Sequence, residues 1–294
     1  MTVNNVLKNK EQLGYQDITK YEEITMNAFP AMLSEVYDGW ILRYTGGYTF
    51  RGNSVNPIYA SSINVEEKIQ ECERRYLKQG LPSVFKMTDV AEEGLDLVLE
   101  KYGYEIQKKA DIMTIQLIPE EVVGDVKKKD KVCIEANILE SSNATYEAKM
   151  DYHAVEEWLD DFVVLNGTKE EPTKSIAKEV LRKIQNPIFC ASIYKNEEMA
   201  ACGLGVLERE KIGLFDIRVK DCYRRLGLGT EICRQIINEG KKYGANEAYL
   251  QVASVNDGAI RLYEKLGFTK AYTYWYRVKG GGQDNVIGLD LLIN

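Results

Sequence analysis

The sequence predicts an α/β protein that contains two copies of one folding unit. Apolar runs rich in β-branched residues alternate with helical patterns along most of the 294 residues, as expected when strands alternate with helices. When the sequence is shifted by 164 residues, Val55 falls on Val219 and Glu100–Tyr104 falls on Glu264–Phe268 without a gap. A match at a fixed spacing indicates an internal repeat. A chain of this length is also long enough for two hydrophobic cores.

Composition and charge disfavour several classes of protein. No apolar run reaches the ~20 residues of a membrane helix, and the polar start Met1–Asn5 is not typical of a signal peptide. A net charge of −7 disfavours a broad nucleic-acid surface. Six cysteines lack Cys-x-x-Cys spacing and His153 is the single histidine, so neither disulfides nor a metal cluster is expected. We therefore expect a cytoplasmic protein with no metal, membrane or nucleic-acid partner.

In the first half, the apolar spacing predicts a helix over 16–29 that ends at Pro30. A hairpin is predicted over Trp40–Arg51, because Gly46 and Gly47 supply the positive φ of a primed turn. The segment 119–131 contains Lys127–Lys129 and no apolar periodicity, which is typical of a solvated linker. The remaining elements expected in this half are a helix over 65–79, a strand over 84–88, a helix over 92–102 and a strand over 110–117.

The second half is expected to begin with a strand over 132–139 and one or two helices between Ala144 and Phe162. A helix over 173–185 and strands over 188–194 and 199–208 follow. The final predicted strand, 272–278, alternates aromatic residues about one face, and core packing is the simplest role for them.

The stretch most informative about function begins with a strand that ends at Val219. A polar loop follows, and then Arg224–Thr230 (Arg-Arg-Leu-Gly-Leu-Gly-Thr) opens a helix. A helix N-terminus has unpaired N–H groups and positive potential, and glycine lets a phosphate approach the backbone. A dinucleotide fingerprint would need a third glycine where Ile232 stands, and a Walker A loop would need a lysine before Thr230.

A second strand over 248–252 follows, then Asn256, and then the helical run Ala259–Phe268 (Ala-Ile-Arg-Leu-Tyr-Glu-Lys-Leu-Gly-Phe). Together these motifs resemble the GNAT superfamily of acyl-CoA-dependent N-acyltransferases, in which Arg/Gln-x-x-Gly-x-Gly cradles the pyrophosphate of coenzyme A. The specific motifs cover about 210–280. The resemblance implies two tandem GNAT-like domains, each a mixed, mostly antiparallel sheet flanked by helices, over 1–118 and 132–294 with a linker at 119–131.

The resemblance also implies the roles of individual residues. Tyr263 stands where the family's tyrosine protonates the departing thiolate, although packing alone would also explain an aromatic residue there. Asn256 stands where the family contacts the cofactor. The backbone of Ile217, Arg218 and Val219 is expected to pair with the pantetheine arm and the thioester carbonyl. The pyrophosphate is expected on the N–H groups of Arg225, Leu226, Gly227, Leu228, Gly229 and Thr230, with Arg224 and Arg225 as supporting charges.

The first copy lacks this chemistry. On the 164-residue shift, Ile63 and Val65 replace the two phosphate-loop glycines, and a β-branched side chain there blocks close backbone approach. Ala60, Glu92 and Leu99 replace Arg224, Asn256 and Tyr263. We therefore expect a degenerate first copy and one coenzyme A per chain.

The sequence leaves the general base open. An amine is mostly protonated at pH 7 and must lose a proton before it attacks. The positions that match the base of relatives are Gly213, Phe215 and Gln251, none of which is basic. Glu208 and Asp216 are nearby carboxylates, but strand alternation directs Asp216 away from the face of Phe215. A water relay and an acceptor of low pKa remain alternatives.

The leading hypothesis is an N-acetyltransferase that moves an acetyl group from acetyl-CoA to an amine by direct attack on the thioester. The acceptor class, small molecule or peptide, stays open. The alternatives are an acyl-CoA-binding sensor or regulatory pseudoenzyme without turnover, and an assembly protein. The first copy is expected to line the acceptor side of the site, to pack against the second copy, or to mediate homo-oligomerisation. The segment Trp40–Arg51 is the part best suited to self-association, because its aromatic residues exceed what one sheet face can bury.

Overall fold

The computed structural model describes residues 14–118, 137–141, 144–167 and 171–279. Within these ranges, twelve strands form one continuous sheet flanked by seven α-helices. The strands are β1 (Leu33–Tyr37), β2 (Trp40–Tyr44), β3 (Val55–Pro57), β4 (Val84–Met87), β5 (Tyr104–Gln116), β6 (Asn137–Ser141), β7 (Ala144–Asp151), β8 (Ile188–Lys195), β9 (Glu198–Glu208), β10 (Lys211–Val219), β11 (Glu247–Ala253) and β12 (Thr269–Lys279). The helices are α1 (Tyr15–Ala28), α2 (Val65–Lys78), α3 (Leu95–Lys101), α4 (Glu156–Leu165), α5 (Thr173–Arg182), α6 (Leu228–Lys242) and α7 (Asp257–Lys265).

Most of the predicted elements are confirmed to within a few residues, although β5 begins six residues before the predicted strand. Between Ala144 and Phe162 one helix is confirmed, but the start of that region is wrong. It begins with strand β7, and only α4 is helical there. Tyr146, Ala148 and Met150 are buried and the residues between them are more exposed, which is the two-residue period of a strand with one buried face. The predicted linker 119–131 and the first part of the predicted strand 132–139 lie outside the described residues.

The predicted hairpin about Gly46 and Gly47 is also wrong. The hairpin turn lies earlier, between β1 and β2, where Asp38 and Gly39 have φ of 42° and 81°, as a primed turn requires. After Gly47 the chain forms a short 3₁₀ helix and then β3, which pairs with the other edge of β2. The side chain of Asn53 stabilises this loop by accepting two backbone N–H bonds, at 2.7 and 3.0 Å.

The aromatic side chains of Trp40–Arg51 lie inside the protein. Trp40 is fully buried, and Tyr48 and Phe50 are each 4% exposed. The Arg43 guanidinium is buried too, and donates to the backbone carbonyl of Arg51 at 2.5 Å. The argument that this segment presents an apolar surface for self-association is therefore wrong.

The strand order shows that the two halves exchange strands. The sheet runs β1-β2-β3-β4-β12-β5-β11-β10-β9-β8-β7-β6. Strand β12 lies between β4 and β5, and β5 lies between β12 and β11, with antiparallel pairing throughout. Each half thus places its last strand between the last two strands of the other half.

The element bounds follow the 164-residue shift found in the sequence. Helix α2, strand β4, helix α3 and strand β5 correspond in order to α6, β11, α7 and β12. The pairs β3–β4 and β10–β11 are both parallel. The two halves therefore share one arrangement of elements within a single sheet, while the boundaries at 118 and 132 stay predictions.

Two buried clusters lie on opposite faces of the sheet around β10. One contains Phe215 and packs against α1, α4 and α5. The other contains Leu214 and Tyr263 and packs against α6 and α7. In the described ranges, every α-helix is too short or too polar to cross a bilayer.

Candidate functional site

The site begins where two parallel strands separate. Strands β10 and β11 pair only from Lys211 to Leu214 and from Glu247 to Leu250. Beyond this point β10 stays paired with β9, and β11 stays paired with β5. Within the part of the chain that the structure describes, no strand pairs with this edge of β10 past Leu214. Its backbone groups therefore face a cleft.

A β-bulge lies at the point of separation. The register between β10 and β9 shifts between Phe215 and Arg218, and Asp216 has a φ of 51°. A bulge interrupts side-chain alternation, so the argument that Asp216 points away from the face of Phe215 does not hold. The Asp216 carboxylate instead accepts a hydrogen bond from Arg51 of the first half at 3.4 Å, and both side chains are buried.

The N-terminus of α6 faces the same cleft. Gly227 is its N-cap residue with a φ of 84°, and Arg225 before it has a φ of 66°. Among the described residues, no side chain caps this helix. The first backbone N–H groups of α6 are therefore available to an external anion.

The cleft has a volume of about 1190 Å³, which is large enough for a cofactor. It contains every site residue expected from the sequence except Leu226. The predicted residues in its lining are Ile217, Arg218, Val219, Arg224, Arg225, Gly227, Leu228, Gly229, Thr230, Asn256 and Tyr263. The structure thus brings together residues from β10, α6 and α7 that are up to 46 positions apart.

The cleft is strongly basic although the chain is acidic. Seven of the described lining residues are basic and none is acidic: Lys108, Lys109, Arg218, Arg224, Arg225, Arg261 and Lys265. A cleft lined by one sign of charge attracts a ligand of the opposite sign. This arrangement fits a polyanion.

Sequence reasoning missed Lys108 and Lys109, which come from the first half. The strand predicted from the sequence begins at Ala110, which leaves both lysines ahead of it, whereas β5 begins at Tyr104. The shift that aligns β5 with β12 could have shown that the strand is longer. It could not have shown that β5 crosses to the cleft of the other half.

Tyr263 is 3% exposed and reaches the cleft from α7. Burial raises its pKa well above the usual value of about 10. The phenol therefore stays protonated throughout the neutral range. Asn256 caps α7, since its side-chain oxygen accepts the N–H of Ala259 at 3.1 Å, so it also has a structural role at the cleft.

The two carboxylates considered as bases differ in position. Glu208 pairs opposite Lys211, at the other end of β10 from the bulge, and accepts hydrogen bonds from Asn27 and Asn186. Asp216 lies at the bulge itself. The described residues include no group of three His, Cys, Asp or Glu side chains that could hold a metal ion.

The corresponding helix in the first half has its N-terminus occupied by the protein itself. The Asp38 carboxylate accepts the backbone N–H groups of Ser62 and Ile63, each at 2.8 Å. The side chain of Asn64 then caps α2 by accepting two further N–H groups. These backbone hydrogen bonds hold the pKa of Asp38 well below its usual range. The N-terminus of α2 is thus occupied by a carboxylate of the protein, whereas the N-terminus of α6 is available to an external anion.

The uncapped helix N-terminus after a strand is the arrangement expected from the sequence, and comparison with known families shows which class of α/β protein has it. The model described as "Probable histone acetyltransferase Rv0428c C-terminal" matches residues 16–178, and the "Acetyltransferase (GNAT) family" model matches residues 152–268. The chain belongs to the GNAT acetyltransferase family. The predicted family and fold class are confirmed.

Similar proteins extend over nearly the whole chain. The uncharacterized N-acetyltransferase YobR of Bacillus subtilis is 28% identical over 264 residues, which cover 90% of this chain and 99% of YobR. A GCN5-related N-acetyltransferase from Kribbella flavida has the same fold, with a TM-score of 0.58, 16% identity and coverage of 90% of this chain and 96% of that one. A tandem GNAT protein from the clavulanic acid biosynthesis pathway has a TM-score of 0.52 and 11% identity, covering 88% and 87% of the two chains.

Proposed function

We propose that this protein is an N-acetyltransferase that moves an acetyl group from acetyl-CoA to an amine on a small molecule or a peptide. The observation that best supports this is the basic cleft in which an uncapped helix N-terminus adjoins a free strand edge. Coenzyme A has a phosphate-rich end and an amide-containing arm, so it needs both features. A cytoplasmic location is part of the same proposal.

The residues present fit coenzyme A. The N–H groups from Arg225 to Thr230 would hold the pyrophosphate, with the surrounding lysines and arginines as supporting charges. The edge of β10 over Ile217–Val219, which lies beyond its pairing with β11, would pair with the amides of the pantetheine arm. The buried hydroxyl of Ser254, which has no hydrogen-bond partner among the described residues, lines the same cleft and offers one more polar contact.

In this proposal Tyr263 is the general acid. The amine attacks the thioester carbonyl, a nitrogen–carbon bond forms and the carbon–sulfur bond breaks. The phenol of Tyr263 supplies a proton to the departing sulfur, the nitrogen releases one proton to water, and the phenolate regains one proton from water. Burial raises the pKa of the phenol, so the neutral form persists and still carries its proton when negative charge develops on the sulfur.

The first half, in this proposal, is a degenerate copy that binds no coenzyme A of its own. Its α2 N-terminus is filled by Asp38 and Asn64. It would support the reaction in the other half, since β5 adds Lys108 and Lys109 to the cleft. Binding of acyl-CoA without turnover is the second candidate. The absence of a base at Gly213, Phe215 and Gln251 favours it.

Calorimetry and thiol release test this proposal together. We expect the full chain to bind coenzyme A and acetyl-CoA with micromolar or better affinity. Acetyl-pantetheine, which lacks the diphosphate, is the matched control and should bind at least about 10²-fold more weakly. Release of thiol on addition of a panel of amines would support the enzyme, and binding without release would support the sensor. Equal affinity for both thioesters, or no binding at all, would contradict the proposed site.

A further inference from the structure

The bulge in β10 places one extra residue at the edge of the proposed cofactor cleft. Asp216 and Ile217 together face the single residue Gly203 of β9. An extra residue of this kind bends its strand and redirects the groups beside it. Asp216 has a φ of 51°, a left-handed conformation that few residues other than glycine adopt, although aspartate adopts it more readily than most. Such a conformation persists where the surrounding structure holds it.

On the α6 face of the sheet, the bulge is held by close packing over Gly203. A Cβ at Gly203 would lie 2.6 Å from Cδ1 of Ile217 and 2.6 Å from Cγ2 of Ile232 on α6. Because Gly203 has no side chain, the side chain of Ile217 can occupy this space beneath the helix. The second residue of the bulge is therefore packed between β9 and α6.

On the opposite face, the bulge is held by the first half of the chain. The Nη2 atom of Arg51 lies 3.4 Å from Oδ1 of Asp216, and side-chain exposure is 8% for Arg51 and 3% for Asp216. Solvent screens a buried ion pair much less than an exposed one. The pair joins residues that are 165 positions apart, so the first half contacts the second directly at the bulge.

Arg51 is itself held by two contacts within the first half. Its guanidinium carbon lies 4.5 Å from the centre of the Phe29 ring, which is within the range of a cation–π contact. Its backbone carbonyl accepts a hydrogen bond from the buried guanidinium of Arg43 at 2.5 Å. A residue that is fixed at its backbone and at its side chain can hold its partner in one position.

We propose that Arg51 is a positioning residue for acetyl transfer: through Asp216 it holds the bulge so that a backbone N–H of β10 meets the thioester carbonyl. This inference rests on the proposed function, in which the edge over Ile217–Val219 binds the acyl-CoA. A donor fixed at the carbonyl oxygen stabilises the negative charge that develops there when the amine attacks. Since a misplacement of about 1 Å can lower the rate by about 10²-fold, the contact from the first half affects the reaction in the second.

The carbonyl stretch of bound acetyl-CoA tests the position of this donor without any acceptor. The probe is acetyl-CoA with an isotopic label at the thioester carbonyl, measured by infrared difference spectroscopy on the full chain. A hydrogen bond to the carbonyl oxygen lowers the stretching frequency, so we expect a lower value for the complex than for free acetyl-CoA. In Arg51→Gln the band should return part of the way to the free value, while the calorimetric affinity for acetyl-CoA changes little.

Turnover with the best amine of the panel measures the effect on the reaction. We expect Arg51→Gln to lower kcat by about 10- to 100-fold with little change in KM for acetyl-CoA. Arg51→Lys keeps the charge and should therefore lose less, although it lacks the fork of donors. Asp216→Asn keeps the size of the side chain and should resemble Arg51→Gln. The double variant should be no slower than either single variant, because the two residues act as one unit.

Arg277→Lys is the matched control. Arg277 is also a buried arginine that connects the two halves, but its carboxylate partner is Asp96 on α3. This variant should lose stability and keep both its kcat and its carbonyl band. The same fall in kcat in Arg277→Lys and in the Arg51 variants would overturn the inference, because general destabilisation would explain it.

Two further outcomes would overturn the inference while the proposed function stands. One is a carbonyl band in the natural complex at the frequency of free acetyl-CoA. The other is an unchanged band and kcat in Arg51→Lys and Asp216→Asn, the two variants closest in structure to the natural protein. Absence of acetyl-CoA binding, or binding with no turnover on any amine, would overturn the proposed function and the inference with it.

Discussion

Arg277 on β12 donates two hydrogen bonds to the carboxylate of Asp96 on α3, from Nε to Oδ1 at 2.9 Å and from Nη2 to Oδ2 at 2.6 Å. The indole N–H of Trp275 donates to the same carboxylate at 2.8 Å. Arg277 is buried, and its remaining bond goes to the backbone carbonyl of Tyr104 at 3.1 Å. This fork of hydrogen bonds between Arg277 and Asp96 connects a strand of the second half to a helix of the first half.

Replacement of Asp96 should therefore destabilise the whole protein. We expect Asp96→Asn to lower the free energy of unfolding by about 1–3 kcal/mol at pH 7, because the buried Arg277 loses its hydrogen-bonded carboxylate and keeps only the longer ion pair with Glu100 at 3.8 Å. The hydrogen bonds from Arg277 hold the pKa of Asp96 below its usual range. The contribution is thus complete above pH of about 4 and is lost as the pH falls through the lowered pKa.

Denaturant unfolding at pH 7 and at pH 3 measures both effects. The difference between Asp96→Asn and the natural protein should shrink toward the lower pH. Asp89→Asn, at an exposed aspartate of the same half, is the control and should change little at either pH. Equal stability of Asp96→Asn and the natural protein at pH 7 would show that the fork contributes nothing.

The turn that we propose binds phosphate could be predicted from the sequence because its residues are consecutive. The two arginines, the two glycines and the start of the helix after them lie within the seven consecutive residues Arg224–Thr230. The insertion of β12 between β4 and β5 was not readable, because strand partners far apart in sequence leave no local pattern. For the same reason Lys108, Lys109 and Arg51 were missed at the sites they reach. The Asp38-Gly39 turn was a local signal that could have been recognised.

Gly229 offers a direct test of the cofactor site. A Cβ at this position would lie 3.3 Å from Leu262 and 3.4 Å from Val219, both of which line the cleft. Gly229→Val should therefore fill the space beside the α6 N-terminus and weaken coenzyme A binding by about 10- to 100-fold. Asn238→Val adds the same side chain to the exposed face of the same helix and should leave the calorimetric affinity unchanged. A folded Gly229→Val protein with normal affinity would place the cofactor elsewhere.

Tyr263→Phe separates proton donation from packing. Turnover should fall by about 10²-fold or more while acetyl-CoA affinity changes little, since only the donor is lost. Because burial raises the pKa of Tyr263, the phenol should stay protonated as the pH rises from 7 to 10. The kcat of the natural protein should then show no loss from this group over that range. Near-normal turnover of Tyr263→Phe would leave the tyrosine with a packing role alone.

The lysines of the first half should contribute to binding in the second. Replacement of Lys108 and Lys109 by glutamine should weaken coenzyme A binding by about 10-fold and make the affinity less dependent on salt, because fewer charges attract the phosphates. Lys101→Gln, at an exposed position on α3, is the control. Calorimetry at two ionic strengths measures both quantities. An unchanged salt dependence in the double variant would exclude these lysines from the cofactor site.

Titration of the full chain should give one coenzyme A per molecule. The N–H groups before α2 are already bonded to Asp38, so an external phosphate would have to displace a carboxylate of the protein. The N-terminus of α6 has no such competitor among the described residues. A stoichiometry near one confirms the division between the halves. Two equivalent sites would contradict it.

The exchange of strands also determines when each strand of the newly made chain can pair with its neighbour. Strand β5 ends at Gln116, but its neighbour β12 is complete only at Lys279. At translation rates of about 5–20 residues per second, β4 and β5 wait on the order of 10–30 s on the ribosome before their shared partner exists. During that interval both present unpaired edges in a crowded cell. The first half is therefore the part of the nascent chain most in need of a chaperone, although it is the first to emerge.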